Sequence, residues 1–395
     1  MDAWEYLEGL MRFPHRGSAS GEEAAAARWI ADRARALGYR VTVEPFAGSA
    51  DTLHAGTSRL GLLLAASGWL ALAPGRAPAL VALLLALAAL APLLGEELGL
   101  SRLNMSLVLR ARRSQNVVAF RPASGAAGAA GPLRLVVSAH YDTQKGSWLF
   151  HPRFRPRLPL WFGLAYAAMA AIVAADAGRL AAPGARWPVE LARWAPAAFL
   201  VLLLPFLQGW LAGRYVPGAN DNGSGSALAL ALAERLARRP PEGCELWFVW
   251  TGCEETGERG MRAFLARHRA ELPPGRTRVV NLDNLGGGRF RYLAGEGMLR
   301  YVRFDRALVE LAGRLATEDG FRPLPQRNLI LPTDALPAAL GGWPAITFIG
   351  VDDGPDGIPH YHWHDDDLAG VDRALLLREE AWIDLYLRRL AGEPD

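Results

Sequence analysis

The residues best suited to chemistry fall just past short apolar stretches of this sequence. Leu135 to Ala139 runs into His140-Tyr141-Asp142, Cys244 to Trp250 into Cys253-Glu254-Glu255, and Thr277 to Leu282 into Asp283. Asp221 stands in the glycine-rich turn Gly218 to Gly225, and His360, His362 and His364 lie in Pro359 to Asp367. Singly, each has a plain structural reading as an Asx-turn, a capped turn, a solvated helix start or a surface loop. Jointly, two histidines and several carboxylates supply the nitrogen and oxygen ligands that a pair of Zn²⁺ ions needs. One carboxylate is left over as a general base.

Such groups need a scaffold, and the chain supplies an alternation of strand-like and helix-like stretches. Arg40 to Phe46, Ser114 to Phe120, Leu133 to Ala139, Cys244 to Trp250, Thr277 to Leu282 and Ala345 to Ile349 read as strands. Ser226 to Arg238, Gly260 to His268, Tyr301 to Thr317 and Arg373 to Leu390 read as helices. Ser20-Gly-Glu-Glu23 reads as a capping box that opens a helix through Ala36, closed by Gly38, and Ala123 to Gly131 reads as a loop. The pattern predicts an α/β fold with a mixed, mostly parallel central sheet flanked by helices. In such sheets ligands gather beyond the carboxyl ends of the strands, where these acids and histidines fall.

Two stretches interrupt the alternation. Leu60 to Ala73 and Ala77 to Leu94 are apolar runs split by Pro74-Gly75-Arg76; Leu158 to Ala175 and Trp194 to Ala212 repeat the design. As a helix, Ala77 to Leu94 would be about 27 Å long, close to the roughly 30 Å of a bilayer's hydrocarbon. Both interruptions are therefore expected to be helical, transmembrane hairpins, the first run being the shortest of the four. Arginines concentrate at the roots of the hairpins rather than at their tips, so the catalytic part should face the cytoplasm of a multi-pass membrane protein, in a bacterium the inner membrane. The expected division is a main domain of 1–47, 114–143 and 215–395, with insertions at 48–113 and 144–214.

Composition agrees. Hydrophobic residues make up 51% of the 395, more than an ordinary soluble core requires. Net charge is +3 and Lys145 is the single lysine, so the pI near 9 points to a lipid bilayer as partner and not to nucleic acid. Two cysteines, Cys244 and Cys253, form no zinc-finger spacing or disulfide framework. The first residues lack the basic and apolar regions of a signal peptide.

In order and spacing, Ser138-Ala-His140-Tyr-Asp142, Gly218 to Gly225, Glu254-Glu255-Thr-Gly257 with Gly260, Asn281-Leu-Asp283 and Tyr361-His362 with Asp366 resemble the zinc aminopeptidases of metallopeptidase clan MH. That group includes bacterial leucyl aminopeptidases, glutamate carboxypeptidases and glutaminyl cyclases. The resemblance implies a phosphorylase/hydrolase-like zinc exopeptidase fold and two Zn²⁺ ions. His140 and Asp283 would hold one ion, Glu255 and His362 the other, and Asp221 would bridge them. It makes Glu254 the general base, Asp142 the residue that orients His140, and Tyr361 a donor to the developing oxyanion. His362 is chosen over His360 and His364 because the family's last histidine is followed four residues later by an aspartate, here Asp366. A cis peptide after Asp221 is also implied. The sequence departs from the family in carrying the apolar insertions, the second lying between His140 and Asp221.

The expected function is a membrane-anchored dizinc aminopeptidase acting on a peptide or other amide. The alternatives are a glutaminyl-cyclase-like acyltransferase, typically with one zinc, and an inactive membrane receptor or scaffold on the same fold.

Overall fold

The computed structural model describes residues 1–100, 103–125, 131–297, 299–318, 324–326, 332–353 and 357–393. The centre of the loop read at Ala123 to Gly131, 126–130, lies outside them. In chain order the elements are α1 (Ala3–Leu10), α2 (Gly21–Ala36), β1 (Arg40–Ser49), α3 (Leu53–Leu70), α4 (Arg76–Glu97), β2 (Ala111–Arg121) and β3 (Leu133–His140). There follow α5 (Leu158–Ala181), α6 (Trp187–Leu211), α7 (Gly225–Arg238), β4 (Cys244–Thr251), α8 (Arg259–Arg267), β5 (Thr277–Asp283), β6 (Arg289–Leu293), β7 (Gly295–Glu296) and β8 (Val302–Arg303). The last are α9 (Arg306–Glu318), β9 (Leu324–Gln326), α10 (Ala335–Leu340), β10 (Ala345–Val351) and α11 (Arg373–Leu390). The chain divides into two units, one of 1–50, 111–144 and 215–395, the other of 51–110 and 145–214.

The larger unit is built on a sheet of order β1-β2-β4-β3-β5-β10-β6-β9. It is a mixed α/β fold: β4, β3, β5 and β10 run parallel in the middle, while β1, β2 and β6 join antiparallel. Side chains alternate across each strand, so both faces bury apolar surface. Val117, Val137, Phe248, Leu282 and Phe348 meet α1, α2, α7 and α11 on one face, and Val136, Val249, Val279 and Ile349 meet α8 and α10 on the other. Because β4, β3 and β5 are adjacent and parallel, their carboxyl ends fall on one edge. His140 pairs in register with Thr251, and Ile349 with Asp283.

The sequence reading needs correcting at the start of α2. Ser20 does cap the helix, its hydroxyl accepting the Glu23 N–H at 3.1 Å. Glu23 does not complete the box. Its carboxylate is buried and accepts instead from Ser114 Oγ (2.9 Å), Gln115 Nε2 (3.1 Å) and the Cys253 N–H (3.2 Å). A residue read as a local helix cap is thus spent on tertiary structure. The strands also reach further than their apolar cores suggest, β1 to Ser49 and β2 from Ala111, since paired backbone is indifferent to the polar side chains there.

The smaller unit consists of α3, α4, α5 and α6. Their core is Leu64, Ala65, Ala86, Ile172, Phe199 and Leu203. Small residues set the spacing: a side chain at Gly61 would lie within 2.8 Å of Leu203, so α3 and α6 approach closely only because Gly61 has none. Outward faces are apolar as well, with Leu84 and Val201 57% and 58% exposed. Among the described residues three helices, Arg76–Glu97, Arg155–Ala181 (α5 with the turn before it) and Trp187–Leu211, are long and apolar enough to cross a membrane. The first apolar run differs: its helix begins at Leu53, takes in His54, Thr57, Ser58 and Arg59, and is not among those three.

Candidate metal centre

His140, Glu254, Glu255 and Asp283 come together because β3, β4 and β5 end side by side, and all but Glu254 are buried to 5% exposure or less. Asp221 is delivered by the turn before α7. Gly218 opens that turn at φ +70, and a side chain there would collide with Thr143 and the Asp221 carbonyl. Asn222 ties the turn to β5, donating to Leu282 O at 2.8 Å and accepting the Asn284 N–H at 3.2 Å. The Asp221–Asn222 peptide is cis. The Asp366 carboxylate accepts the N–H groups of Asn220 (2.6 Å) and Asp221 (3.0 Å). His362 reaches in from the loop beyond β10; His360 turns away to Asp365 at 3.2 Å.

The geometry forms two groups that share one residue. His140 Nε2 lies 3.3 Å from Asp221 Oδ1 and 3.5 Å from Asp283 Oδ1. His362 Nε2 lies 3.1 Å from Asp221 Oδ2 and 3.1 Å from Glu255 Oε2. Each group could hold a metal ion. Ligands around a tetrahedral zinc with bonds of about 2.0–2.2 Å stand about 3.3–3.5 Å apart, so both sets are spaced as zinc ligands are. Asp221 Oδ2 and Glu255 Oε1 are buried and accept no hydrogen bond, which leaves lone pairs for a cation.

The electrostatics point the same way. Burial pushes Glu255 up to about 7, against the charge of His362. Glu254 is driven well above the usual carboxylate range, by burial first and then by Glu255, Asp334 and Asp283, with His140 opposing. Burial opposes charge on His140, but the Glu254 and Asp283 carboxylates outweigh it and raise it well above 6.5. Burial would also raise Asp221; the two imidazoles beside it, His140 and His362, outweigh that and hold it low. This is a buried, carboxylate-rich site short of positive charge, and divalent cations fit it.

Asp142 contacts more than His140. The His140 ring nitrogen Nδ1 is 3.2 Å from the Asp142 backbone carbonyl, whereas the carboxylate is 3.6 Å away. That carboxylate accepts Ser18 Oγ (2.6 Å) and the N–H groups of Glu254 (3.0 Å) and Glu255 (3.3 Å). Tyr361 lines the pocket beside His140, Asp221 and Glu254, its ring stacked on that of His362 at 3.8 Å. Residues the sequence reading passed over also converge here. Arg16 and Ser18 come from the N-terminal segment, Gln144 follows β3, and Asp334 accepts from Thr251 Oγ1 behind the site. None sits in a motif, and only His15-Arg-Gly-Ser18 preceding α2 could have drawn notice.

Imidazoles and carboxylates gathered at the strand ends of a mixed α/β sheet form a site suited to divalent metal ions. Residues 207–384, which carry Asp221, Glu254, Glu255, Asp283 and His362, match the model of Peptidase family M28, and the chain is a zinc metallopeptidase. No curated protein matches the sequence. Among solved structures, a zinc aminopeptidase from Bacillus subtilis shares 17% identity with a TM-score of 0.58, the match covering 98% of this chain and 95% of that one. An aminopeptidase from Aneurinibacillus sp. strain AM-1 shares 15% identity (TM-score 0.57, 98% and 92% covered). An Acidobacteriales bacterium glutaminyl cyclase shares 15% (TM-score 0.57, 98% and 93% covered). At these identities the likeness is one of fold.

Proposed function

We propose that this chain is a membrane-anchored exopeptidase that holds two Zn²⁺ ions and removes residues from the amino terminus of peptides. The observation that carries the two-ion reading is the placement of Asp221, whose two oxygens face two different imidazoles. In this reading His140 and Asp283 hold one ion, Glu255 and His362 the other, and Asp221 serves both. Zinc bound there would supply Lewis acidity toward the scissile carbonyl and a water acidified toward neutral pH.

The chain's own residues do the rest. Glu254 takes a proton from the attacking water and returns it to the leaving amine, a double role that suits a carboxyl whose proton affinity burial has raised. Burial, with the charges of Asp221, Glu255, Glu254 and Asp283, keeps the Tyr361 phenol protonated, as a donor to the oxyanion must be. Asp142 holds the backbone of Glu254 and Glu255 in place.

The apolar outward faces of α4, α5 and α6 support anchoring in a lipid bilayer, and the arginines at the hairpin roots support a catalytic unit facing the cytoplasm. The test is metal analysis with aminoacyl-p-nitroanilide turnover, wild type against Glu254→Gln. Two bound ions in both proteins and turnover lost only in the variant are expected, by about 10²- to 10⁴-fold. A protein that binds no metal would overturn the reading. Conversion of an N-terminal glutaminyl peptide to its cyclic form without hydrolysis would favour the cyclase alternative.

A further inference from the structure

We propose that Gln144 is a positioning residue for the Glu255–His362 metal position. This rests on the two-zinc reading. Gln144 is 2% exposed, and its amide nitrogen reaches Glu255 Oε2 at 3.0 Å and the Glu255 carbonyl at 3.2 Å. Side chain and backbone of Glu255 are thus held from the same atom. Glu255 Oε2, the oxygen that Gln144 reaches, is also the one 3.1 Å from His362 Nε2, so the grip sets the carboxylate plane at the metal position itself, while Oε1 is buried and without a hydrogen bond. A donor that fixes the plane of a ligating carboxylate affects metal affinity without touching the metal.

Gln144 is itself well anchored. Its carbonyl accepts the Val216 N–H at 3.0 Å, and its neighbour Thr143 accepts the Arg16 N–H through Oγ1 at 3.0 Å. It is also the last residue of the larger unit before the chain enters the segment 145–214, and Val216 lies just after the chain returns. Two residues of the larger unit that flank segment 145–214 are therefore hydrogen-bonded to each other at the residue that holds Glu255.

The experiment is calorimetric titration of the metal-stripped, full-length protein with Zn²⁺, for wild type, Gln144→Met and Gln144→Glu, alongside melting of the metal-free proteins. Methionine keeps the shape and loses both donors; glutamate keeps the outline and sets a carboxylate against Glu255. Both variants should weaken one of the two binding steps by about 10- to 100-fold and leave the other as in wild type. Unchanged constants for both steps in both variants would overturn the proposal. So would equal weakening of both steps with a lowered metal-free melting temperature, since that is a folding effect. A wild type that binds fewer than two ions overturns the two-zinc reading first, before any variant is compared.

Discussion

Asp142 Oδ1 accepts the backbone N–H of Glu254 at 3.0 Å, so the loop that follows His140 holds the proposed general base from outside its own turn. The same carboxylate takes the Glu255 N–H and the Ser18 hydroxyl. Three donors from two other segments therefore depend on one buried side chain.

Asp142→Ala leaves those donors without an acceptor, each at a cost of about 1–3 kcal/mol. The expected result is a clear fall in melting temperature and a kcat loss larger than any change in KM, because the turn carrying Glu254 is what loosens. Asp142→Asn keeps an oxygen able to accept and should fall between wild type and alanine. Thermal melts and steady-state kinetics on the three proteins check the order; an alanine variant with wild-type kcat would refute it.

Glu23 gives a pH prediction. Burial, and then the charge of Asp142, push its carboxyl from the usual 4.5 up to about 8, against hydrogen bonds from Ser114, Ala19 and Gln115. The folded state then keeps a proton that the unfolded state releases between those values. Stability owed to neutral Glu23 is complete below pH 4.5 and is lost as pH rises toward 8, by at most about 1.4 kcal/mol per pH unit. Glu23→Gln stays neutral throughout. Its stability relative to wild type should climb between pH 5 and 8 whatever constant offset the substitution brings, and denaturant melts across that range measure the slope. A flat difference would show that Glu23 is ionised in the fold.

How much of this was legible depended on whether a residue's role was local. His140, Asp283 and the Glu254-Glu255 pair could be singled out because each follows an apolar stretch that could only be a central strand, and parallel strands bring such ends together. The middle of the sheet followed from the same signal. Gln144, Arg16 and Asp334 carry no such mark: their partners are 111, 202 and 83 positions away, and nothing in their neighbours shows it. Glu23 went further and misled, since its spacing from Ser20 suits a capping box while its burial serves Ser114 and Cys253. Asp142 was legible as a site residue through His-x-Asp, but not which of its atoms would face His140. The short strands β6 to β9 escaped notice because two to five residues of mixed polarity show no period.

Leu84 and Val201 test the membrane reading, since both point outward from apolar helices. Arginine at mid-helix costs about 2.5–3.5 kcal/mol in a bilayer and almost nothing on a water-facing surface. Leu84→Arg and Val201→Arg should each lower the share of protein retained in carbonate-washed membranes, and the double variant more so. If the helices belong to a soluble subdomain, the substitutions should leave fractionation unchanged and improve solubility.

Arg16 is wholly buried, and its guanidinium donates to three carbonyls: Tyr141 at 2.6 Å, Pro217 at 2.9 Å and Gly218 at 2.6 Å. Burial lowers it to about 10, with Asp366, Asp142 and Asp221 opposing, so it stays charged at neutral pH. The planar fork joins the segment that leaves β3 to the turn that carries Asp221, and places a fixed positive charge near three carboxylates. Arg16→Met removes the charge and leaves the carbonyls without these donors, a loss on the order of 3 kcal/mol or more. Arg16→Lys keeps the charge but has no planar fork, and should recover part of the loss. Urea unfolding should show midpoints in the order wild type, lysine, methionine at constant slope. A lysine variant no better than methionine would mean that the fork matters and the charge does not.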